Sequence, residues 1–174
     1  MTGNRRPMRF ELRDLPAELR KGVKAVAADH PDRFGAGTGF WPVVFRRDRS
    51  LPADGHVIDV GTPVMTIRYG SVSCAFRALG RLLAATGKEL IGMPIRETSA
   101  LTMRGLMIDC SRNGVMRPEA LEVFLRRVAL MGINMIMLYT EDTYAVPGEP
   151  FFGYLRGRYT PAELKAIDNY AHSL

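Results

Sequence analysis

Charged side chains that can bind a sugar follow two mostly apolar runs in the second half of the sequence. Arg112 lies two residues after the run 105–110, and Glu141 and Asp142 come just after the run 133–139. If the two runs are neighbouring parallel strands, these groups lie at the same edge of the sheet, because the loops that follow such strands converge at their carboxyl ends. A planar guanidinium and carboxylates there can bind vicinal hydroxyls through charge-assisted hydrogen bonds. From spacing alone, an Arg–Asp pair that only organises the adjacent loops is an equal alternative.

The sequence around the two runs predicts the strands and helices that must position these groups. The run 105–110 is of the kind expected for a strand buried on both faces, and Pro118 begins a helical pattern that leads to the run 133–139. Residues 160–163 then form a capping box with proline at the first helical position, which predicts a second helix. The order β-α-β-α predicts two parallel strands placed side by side by a right-handed crossover.

The first 100 residues carry a different pattern. A short strand and a helix beginning near Pro16 are followed by strand-like runs at 43–46, 56–60 and 64–69, separated by glycine and proline, and these runs favour an antiparallel sheet. Residues 71–86 then have helical spacing of apolar side chains, with Gly87 just past the predicted end. This pattern predicts an α+β domain in which the helix packs on the sheet.

Composition and cysteine content indicate an ordinary globular protein. The chain has 174 residues, of which 47% are hydrophobic and 24% charged. Neither a signal peptide nor a membrane span can be read from the first residues, so a cytoplasmic setting without a membrane partner is expected. Cys74 and Cys110 fall in a helical and a strand-like pattern, which favours two buried free thiols over a disulfide.

The net charge of +6 raises the question of a nucleic-acid partner, because clustered Lys and Arg bind phosphates. The cluster at Arg46, Arg47 and Arg49 is short, and no stacking-aromatic motif or recognition-helix pattern accompanies it. A solvated basic face without a nucleic-acid partner is therefore the preferred interpretation. The three histidines share no ligand spacing, so neither a metal nor another cofactor is predicted.

Residues 104–112 resemble the first barrel strand of the family 20 glycoside hydrolases, the β-N-acetylhexosaminidases. They read Arg-Gly-Leu-Met-Ile-Asp-Cys-Ser-Arg and follow the family pattern R-G-apolar-apolar-apolar-D-x-S-R in order. Residues 132–134 and 138–142 are similar to the family's second strand, which runs from an Asn to an acidic pair, and residues 76–80 resemble the small α+β domain that precedes the barrel. The resemblance covers the chain from about residue 60 to its end.

The resemblance implies a fold and a domain boundary. Residues 1–100 would form the α+β domain, and residues 101–174 would begin the catalytic domain with the first two βα units of a TIM (β/α)8 barrel. A whole barrel takes about 250 residues, so the barrel would be incomplete, truncated after its second helix.

The resemblance also implies roles for individual residues. Arg112 would bind the hydroxyls of the non-reducing sugar together with Asp142, with Glu141 as the near alternative. Arg104 would be structural, and Asp109 would be a core or loop-anchoring group. The sequence departs from the commoner family pattern at Asn113, where His is frequent, and in its second strand, where a His-Trp-His run is frequent.

The implied activity is removal of a terminal N-acetylhexosamine by substrate-assisted retaining hydrolysis, with a carbohydrate as partner. The 2-acetamido carbonyl attacks the anomeric carbon, an Asp orients that amide, and an adjacent Glu protonates the leaving oxygen. In relatives this Asp-Glu pair follows the fourth strand, so it is expected beyond Leu174 and the chain alone is expected to be inactive. The alternative is a non-catalytic carbohydrate-binding or interaction module. Both are compatible with a homo-oligomer.

Overall fold

A computed structural model describes residues 7–85, 94–112 and 114–174, and seven strands and four helices lie within these ranges. Gly87 and Asn113 fall outside the described residues. None of the helices in the described ranges is both long enough and apolar enough to cross a bilayer. The strands are β1 Phe10–Arg13, β2 Trp41–Arg47, β3 Gly55–Val60, β4 Met65–Tyr69, β5 Ile95–Thr98, β6 Gly105–Asp109 and β7 Met135–Tyr139. The helices are α1 Ala17–Asp29, α2 Val72–Ala84, α3 Pro118–Leu130 and α4 Pro161–Ala171.

The first sheet is mixed, with strand order β1-β2-β4-β3-β5. Strands β1, β2 and β4 run parallel to one another, whereas β3 is antiparallel to both β4 and β5. The expectation of an antiparallel sheet is therefore wrong for β2. A short turn at 61–64 makes β3 and β4 an antiparallel hairpin, and β4 then lies between β3 and β2. Strand β4 therefore pairs with β3 in the antiparallel direction on one side and with β2 in the parallel direction on the other.

Helices α1 and α2 cover this sheet. On α2 the residues at 75, 76, 79 and 82 are fully buried, as the helical spacing of the sequence predicts. Together with alternate residues of the strands they form one continuous apolar core. The largest fully buried side chains of this core are Phe10, Leu19, Phe45, Ile58, Met65, Ile67, Tyr69, Phe76, Leu79 and Leu82.

Strands β6 and β7 form a second, two-stranded parallel sheet, as the β-α-β order predicts. Helix α3 connects the strands, and α4 follows after the segment 140–160. The predicted capping box is present: the Thr160 hydroxyl accepts from the Glu163 backbone amide at 3.1 Å, and the Glu163 carboxylate accepts from the Thr160 amide at 2.7 Å. A separate buried cluster beneath this sheet contains Cys110, Leu121, Leu125, Tyr159, Ile167 and Tyr170.

One face of the second sheet is exposed, in contrast to the expected burial on both faces. The pleat directs Ile136 and Leu138 toward α3 and α4, where they line a shared apolar cleft. Alternate residues lie on the opposite face, where Met107 is 62% and Met137 50% exposed. Their burial would need another layer of structure, and the described residues supply none on that side.

The two cysteines are buried and unbonded, which confirms the expected free thiols. Cys74 belongs to the core under the first sheet and Cys110 to the cluster under the second. The proposed domain boundary near residue 100 coincides with the change from one sheet to the other, and it stays a prediction.

Candidate functional site

The register of the second sheet brings the predicted site residues to one end. Asp109 pairs with Tyr139 at the last position of both strands. Arg112 and Asp142 each lie three residues beyond this pair, so they follow the carboxyl ends of neighbouring parallel strands. The prediction that the two residues share one end of the sheet is confirmed.

Asp109 holds the turn that carries Arg112. Its Oδ1 accepts hydrogen bonds from the Ser111 amide at 2.8 Å and from the Ser111 hydroxyl at 2.6 Å. These bonds, together with the nearby charge of Arg112, lower the pKa of the Asp109 carboxyl. Ser111 is fully buried while Asp109 is exposed, so Asp109 anchors the loop and is not a core residue.

Arg112 is an exposed residue. Its side chain makes no hydrogen bond or ion pair with any residue in the described ranges. The guanidinium is nevertheless close enough to influence both strand ends. The pKa of Tyr139 is raised mainly by a hydrogen bond to Glu141, and the positive charge of Arg112 opposes that rise.

Glu141 lies between the strand end and Asp142 in a left-handed backbone conformation with φ of 48°. Its carboxylate accepts a hydrogen bond from the Tyr139 hydroxyl at 3.1 Å. Glu141 is exposed, and this hydrogen bond holds its carboxylate near the end of β7.

Asp142 is held by an arginine that sequence reasoning missed. Arg156 donates from Nη1 to Asp142 Oδ1 at 2.6 Å and from Nη2 to the carbonyl oxygen of Ser111. One guanidinium therefore connects the loop after β6 to the loop after β7. The Arg–Asp pair that organises these loops is Arg156–Asp142, and no hydrogen bond joins Asp142 to Arg112. No periodicity or motif identifies Arg156, because it comes from an irregular segment 14 residues farther along the chain.

The segment that carries Arg156 forms a closed loop at the same end of the sheet. Its ends are joined by backbone hydrogen bonds from Ala145 to Tyr159 at 2.7 Å and from Tyr159 to Thr143 at 3.0 Å. Thr143 and Tyr159 are both buried, and the Tyr159 hydroxyl donates to the carbonyl oxygen of Met116 at 2.7 Å. The loop is thus fixed to the cluster beneath the second sheet.

Arg104, at the opposite end of β6, connects the two sheets. Its Nε donates to the carbonyl oxygen of Gly132 at 2.7 Å, and its Nη1 lies 3.3 Å from the Asp54 carboxylate. A cavity of about 210 Å³ lies beside it, lined in part by His56 and Glu97. Within the described ranges, no group of three or more His, Cys, Asp and Glu residues is placed to hold a metal ion.

Comparison by sequence identifies no relative. No protein-family model matches the chain. A search of curated proteins likewise finds no match.

Comparison by structure finds similar folds in solved enzymes. An exo-β-N-acetylglucosaminidase of family 20 from Vibrio harveyi, in complex with N-acetylglucosamine, matches 97% of this chain with a TM-score of 0.73 and 14% identity. A mutant β-hexosaminidase from Streptomyces plicatus in complex with the product N-acetylglucosamine matches 97% with a TM-score of 0.70 and 21% identity. A β-N-acetylhexosaminidase from Bacteroides fragilis matches 95% with a TM-score of 0.69 and 15% identity.

These matches confirm the resemblance to family 20 at the level of the fold. The chain has a mixed α/β fold similar to the amino-terminal region of these β-N-acetylhexosaminidases. It spans 32%, 40% and 38% of the three solved chains, in the order given.

Proposed function

We propose that this chain is part of a β-N-acetylhexosaminidase-like glycoside hydrolase and that the loops after β6 and β7 bind the hydroxyls of a terminal N-acetylhexosamine. The observation that carries the proposal is that the exposed residue Arg112 follows the same strand ends as Asp142. The similarity of the whole chain to family 20 enzymes supports it. In this proposal residues 101–174 are the first two βα units of a TIM barrel.

Arg112 and Asp142 contribute in different ways. Arg112 offers a planar fork of donors that suits two neighbouring hydroxyl oxygens. Arg156 donates to Asp142 Oδ1, and the Asp142 side chain is 37% exposed, so the carboxylate can also accept a hydrogen bond from a sugar hydroxyl. Arg156 acts through Asp142 as a positioning residue, because it orients the carboxylate before the sugar arrives.

The catalytic pair of the substrate-assisted mechanism is assigned to neither Glu141 nor Asp142. These two residues are the only adjacent acidic residues in the sequence, and their order is the reverse of Asp-Glu. Glu141 is bound by Tyr139, and Asp142 is bound by Arg156. The proposal therefore assigns the orienting Asp and the proton-donating Glu to residues outside these 174.

Replacement of Arg112 by Lys tests whether Arg112 binds the sugar hydroxyls. We expect Arg112→Lys to weaken binding of N-acetylglucosamine about tenfold, because a point charge replaces two parallel donors and a charge-assisted hydrogen bond contributes about 1.5–3 kcal/mol. The measurement is isothermal titration calorimetry of the purified chain with N-acetylglucosamine.

Arg46→Lys is the matched control. Arg46 is an exposed arginine at the end of β2 that donates to the carbonyl oxygen of the adjacent Phe45. Its replacement should leave the affinity unchanged. Equal dissociation constants for the Arg112 variant and the wild type would contradict the assigned role.

The alternative is a carbohydrate-binding module without hydrolytic activity. It is favoured by the presence of the Arg112 and Asp142 arrangement in a sequence without an Asp-Glu pair. The coding DNA distinguishes the two: a reading frame that continues past Leu174 into further strands and an Asp-Glu pair supports the glycosidase, and a stop codon supports the binding module. Turnover of a chromogenic N-acetylglucosaminide by the 174-residue chain at the rate of a complete enzyme would contradict both.

A further inference from the structure

The cavity beside Arg104 lies where the two halves of the chain meet. It has a volume of about 210 Å³, and its wall includes His56, Arg77 and Glu97 from the first half and Arg104 from the second. At about 30 Å³ for each molecule, this volume corresponds to roughly seven waters, so a small ligand fits. Arg104 precedes β6 whereas Arg112 follows it, and the cavity is therefore separate from the proposed sugar site.

Positive charge exceeds negative charge around this cavity in the described part of the chain. Glu97 is shared by two arginines of α2: its Oε2 lies 3.2 Å from Arg77 Nε and its Oε1 lies 2.7 Å from Arg81 Nε. Asp54 pairs with Arg104 at 3.3 Å. Three guanidinium groups are thus paired with two carboxylates, so one positive charge within the cluster is uncompensated.

Arg77 has unused hydrogen-bond donors. It binds Glu97 through Nε, and its two terminal nitrogens make no hydrogen bond to any residue that the structure describes. The side chain is 39% exposed, and its aliphatic part lies over Gly132, where a Cβ would come within 3.2 Å of Arg77 Cδ. The terminal nitrogens can consequently bind an oxyanion through charge-assisted hydrogen bonds, as guanidinium groups do with phosphates.

His56 adds an unpaired polar atom to the same wall. The residue is 2% exposed, and its Nε2 has no hydrogen-bond partner within the described ranges, although the Glu97 carboxylate is 3.7 Å away. A buried nitrogen of this kind costs free energy unless a bound water or ion supplies its partner. The imidazole therefore favours a polar occupant of the cavity over an apolar one.

We infer that this cavity binds a phosphate group, either as the free ion or as a small phosphate monoester. A phosphate carries between one and two negative charges at neutral pH and several acceptor oxygens, which suits the uncompensated guanidinium charge and the unused donors of Arg77. Because Arg77 and Arg104 belong to different halves of the chain, the bound group also stabilises the junction between them. The inference does not depend on the proposed function.

Calorimetric titration of the purified chain with inorganic phosphate and with glycerol phosphate, at an ionic strength held constant with chloride, tests the inference. We expect one saturable site in the wild type. Arg77→Met should weaken binding about tenfold or more, because it removes charged donors while an unbranched side chain still covers Gly132. Tighter binding of glycerol phosphate would identify a monoester as the ligand, and equal or weaker binding would identify the free ion.

Urea unfolding provides a second readout. Phosphate at about ten times its dissociation constant should lower the unfolding equilibrium constant of the wild type about elevenfold relative to chloride, because only the folded chain brings Arg77 and Arg104 together. The Arg77 variant should lose most of this effect. Equal unfolding of the wild type in phosphate and in chloride overturns the inference.

Arg46→Met is the matched control, because it removes the same charge from an exposed arginine on β2, which β4 separates from β3. It should bind phosphate as the wild type does. The Arg77 variant should keep the wild-type affinity for N-acetylglucosamine. A wild-type chain that binds neither phosphate ligand, or an equal loss of affinity in the Arg46 and Arg77 variants, overturns the site while the proposed function stands.

Glu97→Gln keeps the inference testable if Arg77→Met does not fold. Loss of the carboxylate that competes for Arg77 and Arg81 should tighten phosphate binding severalfold. Unchanged or weaker binding by the Glu97 variant overturns the inference.

Discussion

Two arginines determine the geometry at opposite ends of the second sheet. Arg104 fixes the start of β6 to Gly132 and to Asp54, the residue before β3 of the first sheet. Arg156 fixes the loops after β6 and β7 to each other through Asp142 and Ser111. Each guanidinium serves several acceptors at once, which is the advantage of its planar fork over a lysine. The site and the junction between the sheets are thus each organised by one side chain.

His56 is a buried titratable residue at that junction. It is 2% exposed, and its Nε2 lies 3.7 Å from the Glu97 carboxylate without a hydrogen-bond partner in the described structure. Burial lowers the pKa of the imidazole; the charges of Arg77 and Arg81 lower it further, while Glu97 opposes the shift. The folded protein therefore favours the neutral imidazole.

Stability should consequently fall as the pH decreases through the range of histidine titration. Below the ordinary pKa of about 6.5 the unfolded chain takes up a proton at His56 that the folded chain does not, so the free energy of unfolding decreases by at most about 1.4 kcal/mol per pH unit. The loss ends below the lowered pKa of the folded state. Urea unfolding from pH 7.5 to pH 5 measures it, and His56→Gln should flatten the dependence.

His172→Gln is the control, because this imidazole is largely exposed at the end of α4. It should leave the pH dependence of the wild type in place. An equal slope in the His56 and His172 variants would show that another group causes the dependence.

At the scale of elements, the two halves of the chain meet through helices. Helix α2, which covers the first sheet, packs against α3, which covers the second. The helices approach each other closely at Gly80, where a Cβ would overlap the carbonyl oxygen of Leu130 at the end of α3. A glycine at this position permits the helices to touch through their backbones.

Gly80→Ala should therefore destabilise the protein although alanine is the better helix former. The methyl group forces α2 and α3 apart, and overpacking of this kind costs about 1–3 kcal/mol, more than the gain in helix propensity of about 1 kcal/mol. Chemical denaturation measures the change in the free energy of unfolding.

Gly157→Ala is the matched control. A Cβ at Gly157 meets only Val115, at the ordinary distance of 3.6 Å, so this variant should unfold within about 0.5 kcal/mol of the wild type. A Gly80 variant as stable as the Gly157 variant would show that the helices can separate without loss.

At the scale of the whole molecule, the exposed face of the second sheet is the dominant feature. Met107, Met135, Met137 and Tyr139 lie together on it, each between 38% and 62% exposed. A contiguous apolar face on a small sheet with open edges is a site for association. In the proposed barrel this face would contact further strands.

We expect the 174-residue chain to self-associate in a concentration-dependent manner through this face. The double variant Met107→Lys/Met137→Lys should shift the population toward monomer, because two charges would have to be desolvated in the contact. Sedimentation velocity over a range of concentrations measures the shift.

Met131→Lys provides the comparison, since Met131 is 67% exposed but lies at the end of α3, away from the face. Its replacement should leave association as in the wild type. A wild-type chain that stays monomeric at millimolar concentration would show that the exposed methionines do not drive association.

The sequence by itself determined the order of elements in the second half and the common end at which the candidate site residues lie. Helical spacing after Pro118, the capping box at 160–163 and the apolar runs at 105–110 and 133–139 each specify local structure through contacts within a few residues. Parallel pairing follows from the β-α-β order, because a helical crossover returns the second strand in the same direction. The common end of Arg112 and Asp142 is a consequence of that pairing.

Only the tertiary structure decided what depends on contacts between distant residues. The position of β4 between β2 and β3 made the first sheet mixed, and local patterns do not encode which strand is central. Arg156 became the partner of Asp142 because the loop 143–159 folds back over the strand ends. One face of the apolar strands β6 and β7 is exposed. Hydrophobicity specifies that a side chain should be buried, but it does not specify which layer of structure buries it.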